Sequence, residues 1–284
     1  MPPLGVAVLT GLSVVRGLGF ALVVVAVGTI AAHAFPESRR GEGMGVLGVV
    51  AMVPAVTMLP LGVWLSQVAS YPSVFAAAAL CAFAVLPLTA GLNAPSTGDP
   101  SSRHPGSFGL RRPGMRRPLV VFTTTAVAGG VVVAFLPTAV STGVAAAGLL
   151  AQAAVAAVTR WLAGRYADRY GGTGLLTAAV VACAVGMVLA AATATDLAVL
   201  TGMALFGAGF GLAQTVSLTS MLGQVSPDGY ARVSAAWNAG YDVGWGFGAI
   251  GIGIVVAQLG HSTAFAVTGL LVLTVLPLTR RATQ

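Results

Sequence analysis

The sequence predicts an all-α membrane protein, a polytopic bundle of about nine transmembrane helices. Three observations predict it. Hydrophobic residues make up 57% of the 284 and charged residues only 7%, against about 25% charged in an ordinary soluble domain. The apolar residues fall into nine long runs divided by short turn-forming separators. The basic residues fall almost wholly in alternate separators. Such a composition excludes a cytosolic enzyme, a disordered chain and a nucleic-acid-binding domain. All 14 basic residues are Arg, so no phosphate-binding or Schiff-base lysine exists. Cys81 and Cys183 both lie in apolar runs, which indicates neither a disulfide framework nor a metal knuckle.

A membrane-spanning helix needs about 20 mostly apolar residues. The runs that meet this are Leu4–Ala32, Gly43–Ala69, Ser73–Leu92, Leu119–Val140, Ala145–Leu162, Gly174–Ala194, Leu197–Leu222, Val233–Leu259 and Thr263–Leu278. The first ends before Pro36-Glu37-Ser38-Arg39-Arg40-Gly41, the second at Ser70-Tyr71-Pro72, the fourth at Ser141-Thr142-Gly143, the fifth before Gly171-Gly172 and the seventh at Ser226-Pro227-Asp228-Gly229. One separator is long. Asn93 to Arg117, rich in Pro, Ser, Gly and Arg, reads as a polar linker between a three-span and a six-span part. The first run is too long for a cleavable signal peptide and lacks a basic start.

Arginine placement gives the orientation. Loops one, three, five and seven and the C-terminal tail carry Arg39 and Arg40; Arg103, Arg111, Arg112, Arg116 and Arg117; Arg160, Arg165 and Arg169; Arg232; and Arg280 and Arg281. The remaining loops carry no Arg, and their one charge is Asp196. Cytoplasmic loops hold the excess of basic residues. The linker and the C-terminus are therefore expected in the cytoplasm and the N-terminus outside. Trp64 and Tyr71 at one boundary, and Trp161, Tyr166 and Tyr170 at the other, suit interfacial aromatics.

Shifted by 190 residues, the chain resembles itself. Gly17, Gly19 and Phe20 fall on Gly207, Gly209 and Phe210, Phe75 falls on Phe265, and Val85-Leu86-Pro87-Leu88-Thr89 falls on Val275-Leu276-Pro277-Leu278-Thr279. Spans one to three thus repeat as spans seven to nine, and spans four to six have no counterpart.

Parallel repeats joined by a basic loop resemble the major facilitator superfamily, whose members usually have two six-span halves. Gly164-Arg165-Tyr166-Ala167-Asp168-Arg169-Tyr170-Gly171 is similar to the family's cytoplasmic Gly-x-x-x-Asp-Arg-x-Gly loop, in its second-half copy. Arg16-Gly17-Leu18-Gly19 resembles the Arg-plus-glycine motif of helix 4, and Pro60-Leu61-Gly62 resembles the end of the glycine-proline motif of helix 5 in drug and sugar antiporters. The resemblance implies family helices 4 to 12. Residues 1–92 would be a three-helix remnant of the N-terminal half, 93–117 the cytoplasmic linker and 118–284 the six-helix C-terminal half. An N-terminally truncated chain is expected, one that does not transport alone and starts too far downstream or takes the missing helices from another chain.

Asp242 is the one acidic residue inside a predicted span and Arg16 the one basic residue deep within one, Arg160 at the end of the fifth run being counted with its loop. A charge at the bilayer centre costs roughly 2.5–3.5 kcal/mol on insertion scales, so both are expected to face protein or water. At about 100° per residue, Asn238, Asp242, Trp245 and Ala249 share one face, and Gly240, Gly244, Gly248 and Gly251 lie opposite as a packing stripe. Asp242 can carry a proton or take an interhelical hydrogen bond. Arg16 can take part in proton transfer, as the resemblance implies, or in a structural ion pair. Gln214, on the equivalent of a cavity-lining helix, is a substrate-contact candidate together with Asn238 and Trp245; Gln152 reads rather as an interhelical amide. Gly164, Asp168, Arg169 and Gly171 form the gating-loop candidate, with Asp168 expected at the start of the second span, around Gly41 to Gly45. Pro60 and Gly62 complete the helix 5 motif.

The functional expectation is a secondary transporter at the cell membrane, exporting a small organic solute, drug- or sugar-like, against protons. The alternative is a truncated membrane fragment without transport activity. Its partners are the lipid bilayer, protons and that solute, with no nucleic acid. No cofactor and no metal are expected: Gly246-Phe247-Gly248-Ala249-Ile250-Gly251 fits a nucleotide-loop spacing but follows no strand, and His33, His104 and His261 lack ligand spacing.

Overall fold

A computed structural model describes residues 3–51, 53, 65, 69, 71–89, 109, 112–170, 172 and 174–279. Pro60, Gly62, Trp64, Arg103, Arg111, Gly171, Arg280, Arg281 and most of the linker lie outside the described residues. Among the described residues the regular structure is helical throughout. The helices are α1 (Pro3–Ala34), α2 (residues 40–51), α3 (Tyr71–Thr89), α4 (Pro113–Ala139), α5 (Thr142–Tyr170), α6 (Leu175–Ala190), α7 (Asp196–Leu222), α8 (Tyr230–Leu273) and α9 (Leu276–Thr279). Among the described residues, five stretches are long and apolar enough to cross a membrane: Gly5–Ala34, Pro113–Ala139, Thr142–Tyr170, Asp196–Leu222 and Pro227–Thr279. The last spans 53 residues, about 80 Å at 1.5 Å per residue, enough for two crossings of a hydrocarbon core about 30 Å thick. Gly260, at φ 81° and ψ 171°, breaks α8 in its course. That left-handed φ is costly for any residue with a Cβ. The two arms of α8 match the eighth and ninth predicted spans.

Proline sets several boundaries. Pro36 is extended and stops α1, after which Glu37–Arg39 form a 3-10 turn. Pro113 occupies the first turn of α4, where its missing N–H removes no helical bond. Pro227 opens a second 3-10 turn, Pro227–Gly229, ahead of α8. These two turns, Glu37–Arg39 and Pro227–Gly229, lie 190 residues apart, as do the starts of α2 at residue 40 and α8 at Tyr230. The sequence offset therefore recurs in the backbone.

Small residues set the packing. α7 runs between α5 and α6: Gly207 and Gly211 abut Gln152, Ala156 and Thr159 of α5, and Gly202 and Gly209 abut Gly186, Ala179 and Cys183 of α6. Gly240, Gly244 and Gly248 press α8 onto Thr123, Ala126 and Val127 of α4, as the predicted stripe requires. Gly251 departs from it, since its neighbour is Phe247 of its own helix. The core between α4, α6, α7 and α8 holds Phe122, Phe206, Phe265, Leu136, Met187 and Met203, all fully buried. By contrast α1 is exposed from Val6 to Val23. It meets α8 near its other end, where Ser234 Oγ donates to Val25 O at 3.4 Å and the rings of His33 and Tyr230 meet edge to face at 4.9 Å.

Candidate functional site

The clearest constellation joins α5 to α2. Asp168, in the last turn of α5, accepts the N–H of Gly41 at 2.9 Å and of Glu42 at 2.8 Å. Both donors belong to the first turn of α2, where helical N–H groups lack intrahelical partners. The carboxylate also meets the positive end of the helix dipole. Glycines bring it there. A Cβ on Gly164 would run into Gly41 O, and one on Gly45 into the Arg160 carbonyl, so the two backbones touch. Asp168 thus sits at the start of the second span, where the sequence placed it. Around it, Glu42 takes Arg39 at 2.9 Å and Arg165 at 3.7 Å. The Arg39 hydrogen bond holds the half-buried Glu42 carboxyl below the ordinary carboxylate range. Arg169 is exposed beside this clasp, and Gly171 of the same motif is outside the described residues.

Farther along α5, the structure corrects one reading. α5 continues unbroken to Tyr170, so Arg160 is not a loop residue. It lies ten residues before the helix end, about 15 Å at the helical rise, and level with the apolar part of α2. Its guanidinium packs on Gly48, and its carbonyl accepts Thr215 Oγ1 of α7 at 3.2 Å. The Nε is buried and has no hydrogen-bond partner among the described residues. An unpaired buried donor costs about 1–3 kcal/mol, and more when charged. Sequence counting missed this because a basic residue near a span end looks topogenic.

Beside Arg160 stands an aromatic ladder. Trp237, Tyr241 and Trp245 follow one another four residues apart on α8. Tyr241 lies 6.2 Å from Trp237, 5.3 Å from Trp245, 5.9 Å from Phe122 and 6.2 Å from Phe210. Phe122 and Trp237 stack at 4.2 Å, and Trp237 Nε1 donates to Ser217 Oγ of α7 at 2.9 Å. Trp245 Nε1 is buried without a partner among the described residues. The i, i+4 spacing of three aromatics was the signal that could have found the ladder.

The predicted polar face of α8 divides accordingly. Trp245 is about 60° from Asp242 around the helix; its indole turns to Gly129 of α4 and its backbone abuts Gly130. Asp242 itself is exposed; it is not enclosed by described residues as expected. Asn238 is half-buried and donates to Ser234 O of its own helix at 2.8 Å. Gln214 is buried on α7. Arg16 is exposed, with no ion pair among the described residues, and Gly17 and Gly19 beside it face open space. Counting from the Ser234 contacts with Val25 and Gly28, Asp242 is level with residues 17–20 of α1, next to Arg16 in depth. Among the described residues no group of three His, Cys, Asp or Glu side chains could hold a metal.

Helical bundle, glycine-packed helices and the Asp168 clasp define a polytopic membrane protein of the transporter type. The family model for the Major Facilitator Superfamily matches residues 4–249 and 152–282. The chain belongs to the major facilitator superfamily, a family of secondary transporters. The two matches overlap over residues 152–249. No curated protein matches the chain.

Proposed function

We propose that the chain serves as a proton-coupled secondary transporter of the cell membrane that exports a small organic solute, with its C-terminus in the cytoplasm. The observation that carries the reading is the clasp of Asp168 on Gly41 and Glu42. It ties α2, before the linker, to α5, after it, by two bonds that a change of the residue 168 charge would weaken. Opening this end of the bundle requires them to part, which gives Gly164, Asp168, Arg169 and Gly171 a gating role. Asp242 supplies the titratable group for coupling, with Arg16 at similar depth as its electrostatic counterpart. Gln214, Asn238 and Trp245 contribute to the solute path.

The test is reconstitution in liposomes under an imposed pH gradient. Proton flux is read by an internal dye while drug-like and sugar-like solutes and organic acids are supplied in turn. Solute-dependent proton movement, lost in Asp168→Ala, supports the reading. Proton movement that no solute alters counts against coupling.

A second reading is favoured by one observation, the exposed flank of α1 from Val6 to Val23 with Arg16 in its middle. An arginine facing hydrocarbon is costly, so further protein covers this flank and the 284-residue chain alone does not transport. Co-reconstitution with candidate partner helices then restores a flux that the single chain lacks.

A further inference from the structure

Where α5 passes α2, buried donors and positive charge have no matching acceptor among the described residues. Three buried side-chain polar atoms lack a partner among the described residues: Arg40 Nε, Arg160 Nε and Trp245 Nε1. All three are N–H donors. Two of them flank Tyr241, whose ring is 5.3 Å from Trp245 and within electrostatic reach of the Arg160 guanidinium. The ion pairs formed by described residues join Arg39, Arg40 and Arg165 to Glu37 and Glu42, and none reaches Arg160. Asp242, the nearest acid along α8, is exposed on another side of that helix. The guanidinium is therefore held in the apolar part of the bundle, against Gly48, without a counter-charge among the described residues.

We propose that the transported solute is a small organic acid, its carboxylate bound by Arg160 and its apolar body laid on the Tyr241 ring. The proposal rests on the transporter reading and gives that reading a substrate class. A cationic or neutral solute would leave the guanidinium uncompensated, and burying an unpaired charge is unfavourable. The planar fork of a guanidinium matches a carboxylate through two parallel hydrogen bonds. A phosphate dianion would call for a second cation, and no other basic side chain is described against Gly48 or Tyr241. The half-buried faces of Tyr241 and Trp245 suit an aromatic or aliphatic body. Trp245, one helical turn farther along α8, adds a free donor for a second acceptor on a longer solute.

The test is binding to the 284-residue chain in nanodiscs, read with radiolabelled benzoate. Saturable binding is expected, displaced by unlabelled benzoate but not by equal concentrations of benzamide, benzylammonium or inorganic phosphate. Arg160→Gln, checked for monodisperse elution, should weaken binding roughly tenfold or more, as loss of a charged hydrogen bond does. If that variant does not fold, the wild-type chain decides. Benzoate should slow phenylglyoxal labelling of Arg160, followed by mass spectrometry, and leave labelling of Arg165 unchanged. Absence of saturable benzoate binding overturns the proposal. Displacement by benzamide or phosphate as strong as by benzoate, unchanged affinity in Arg160→Gln, or labelling of Arg160 that benzoate does not slow would each do the same. None of these outcomes touches the proton-flux assay, so the transporter reading stands or falls separately.

Discussion

Asp168 and Gly41 are 127 residues apart in sequence, yet the carboxylate of one accepts the backbone N–H of the other at 2.9 Å. The second carboxylate oxygen accepts Glu42 N–H at 2.8 Å, so a side chain from α5 caps α2. Gly164, one turn earlier on α5, lets the Gly41 backbone come into contact. Electrostatics and shape are coupled here. The bonds form only at this separation, and this separation exists only because neither backbone carries a Cβ at the crossing.

Asp168→Asn replaces one of the two acceptor oxygens with an NH2 group that faces an N–H donor. Hydrogen bonds to charged groups contribute about 1.5–3 kcal/mol. Amide hydrogen exchange at Gly41 and Glu42 should therefore accelerate roughly tenfold or more, while exchange in the middle of α7 stays as it was. Unchanged exchange at both amides would show that another group caps α2.

Gly164→Ala and Gly246→Ala should act in opposite directions. The new methyl at 164 meets backbone, Gly41 O, which cannot swing aside. α2 is then pushed off α5, and a loss typical of overpacking, about 1–3 kcal/mol, is expected. Gly246 has open space around it, and alanine is the better helix former by about 1 kcal/mol. Thermal unfolding in detergent reads both. A Gly164→Ala protein as stable as the parent would sink the close-crossing account.

What the sequence revealed and what it hid divide along physical lines. Span positions were legible because apolar length and turn chemistry are local properties: Pro36 and Pro227 stop and start helices where they stand. Asp168 could be placed because its motif is a helix-capping device with a family precedent. The Arg160 site was not legible. A lone arginine two residues from the end of an apolar run reads as a loop charge until α5 is seen to continue to Tyr170. The face of α8 was half right. The glycines at 240, 244 and 248 pack as their spacing demands, but a 60° difference separates Trp245 from Asp242, and only the position of α4 decides which of them is covered.

The arginine distribution yields a sidedness test. Arg165 and Arg169 in α5, Arg116 and Arg117 in α4 and Arg232 in α8 lie inside helices, each within two turns of the helix end that meets an arginine-bearing loop. In a chain with Cys81 and Cys183 replaced by alanine, a cysteine at Ala194, in the α6–α7 turn, should react with an impermeant maleimide added outside cells. A cysteine at Ser226, in the α7–α8 turn, should react only after permeabilisation. Outside labelling of both positions would refute the predicted orientation.

Asp242→Asn addresses coupling. The acid lies twelve residues into α8, about 18 Å along its axis, within a stretch otherwise free of charge. It is exposed on the bundle, level with residues 17–20 of α1 and so close in depth to Arg16. A carboxyl there can bind a proton from one side and release it to the other. Asparagine keeps the size and the hydrogen-bonding shape but has no proton to exchange. The variant should insert and elute as the parent does, because no bond of Asp242 supports the fold among the described residues. Solute-driven proton flux in liposomes should vanish, whereas equilibrium binding of the same solute should change by less than about threefold, under 1 kcal/mol. Proton flux that survives in Asp242→Asn with its pH dependence intact would remove Asp242 from the coupling path and leave it a surface charge.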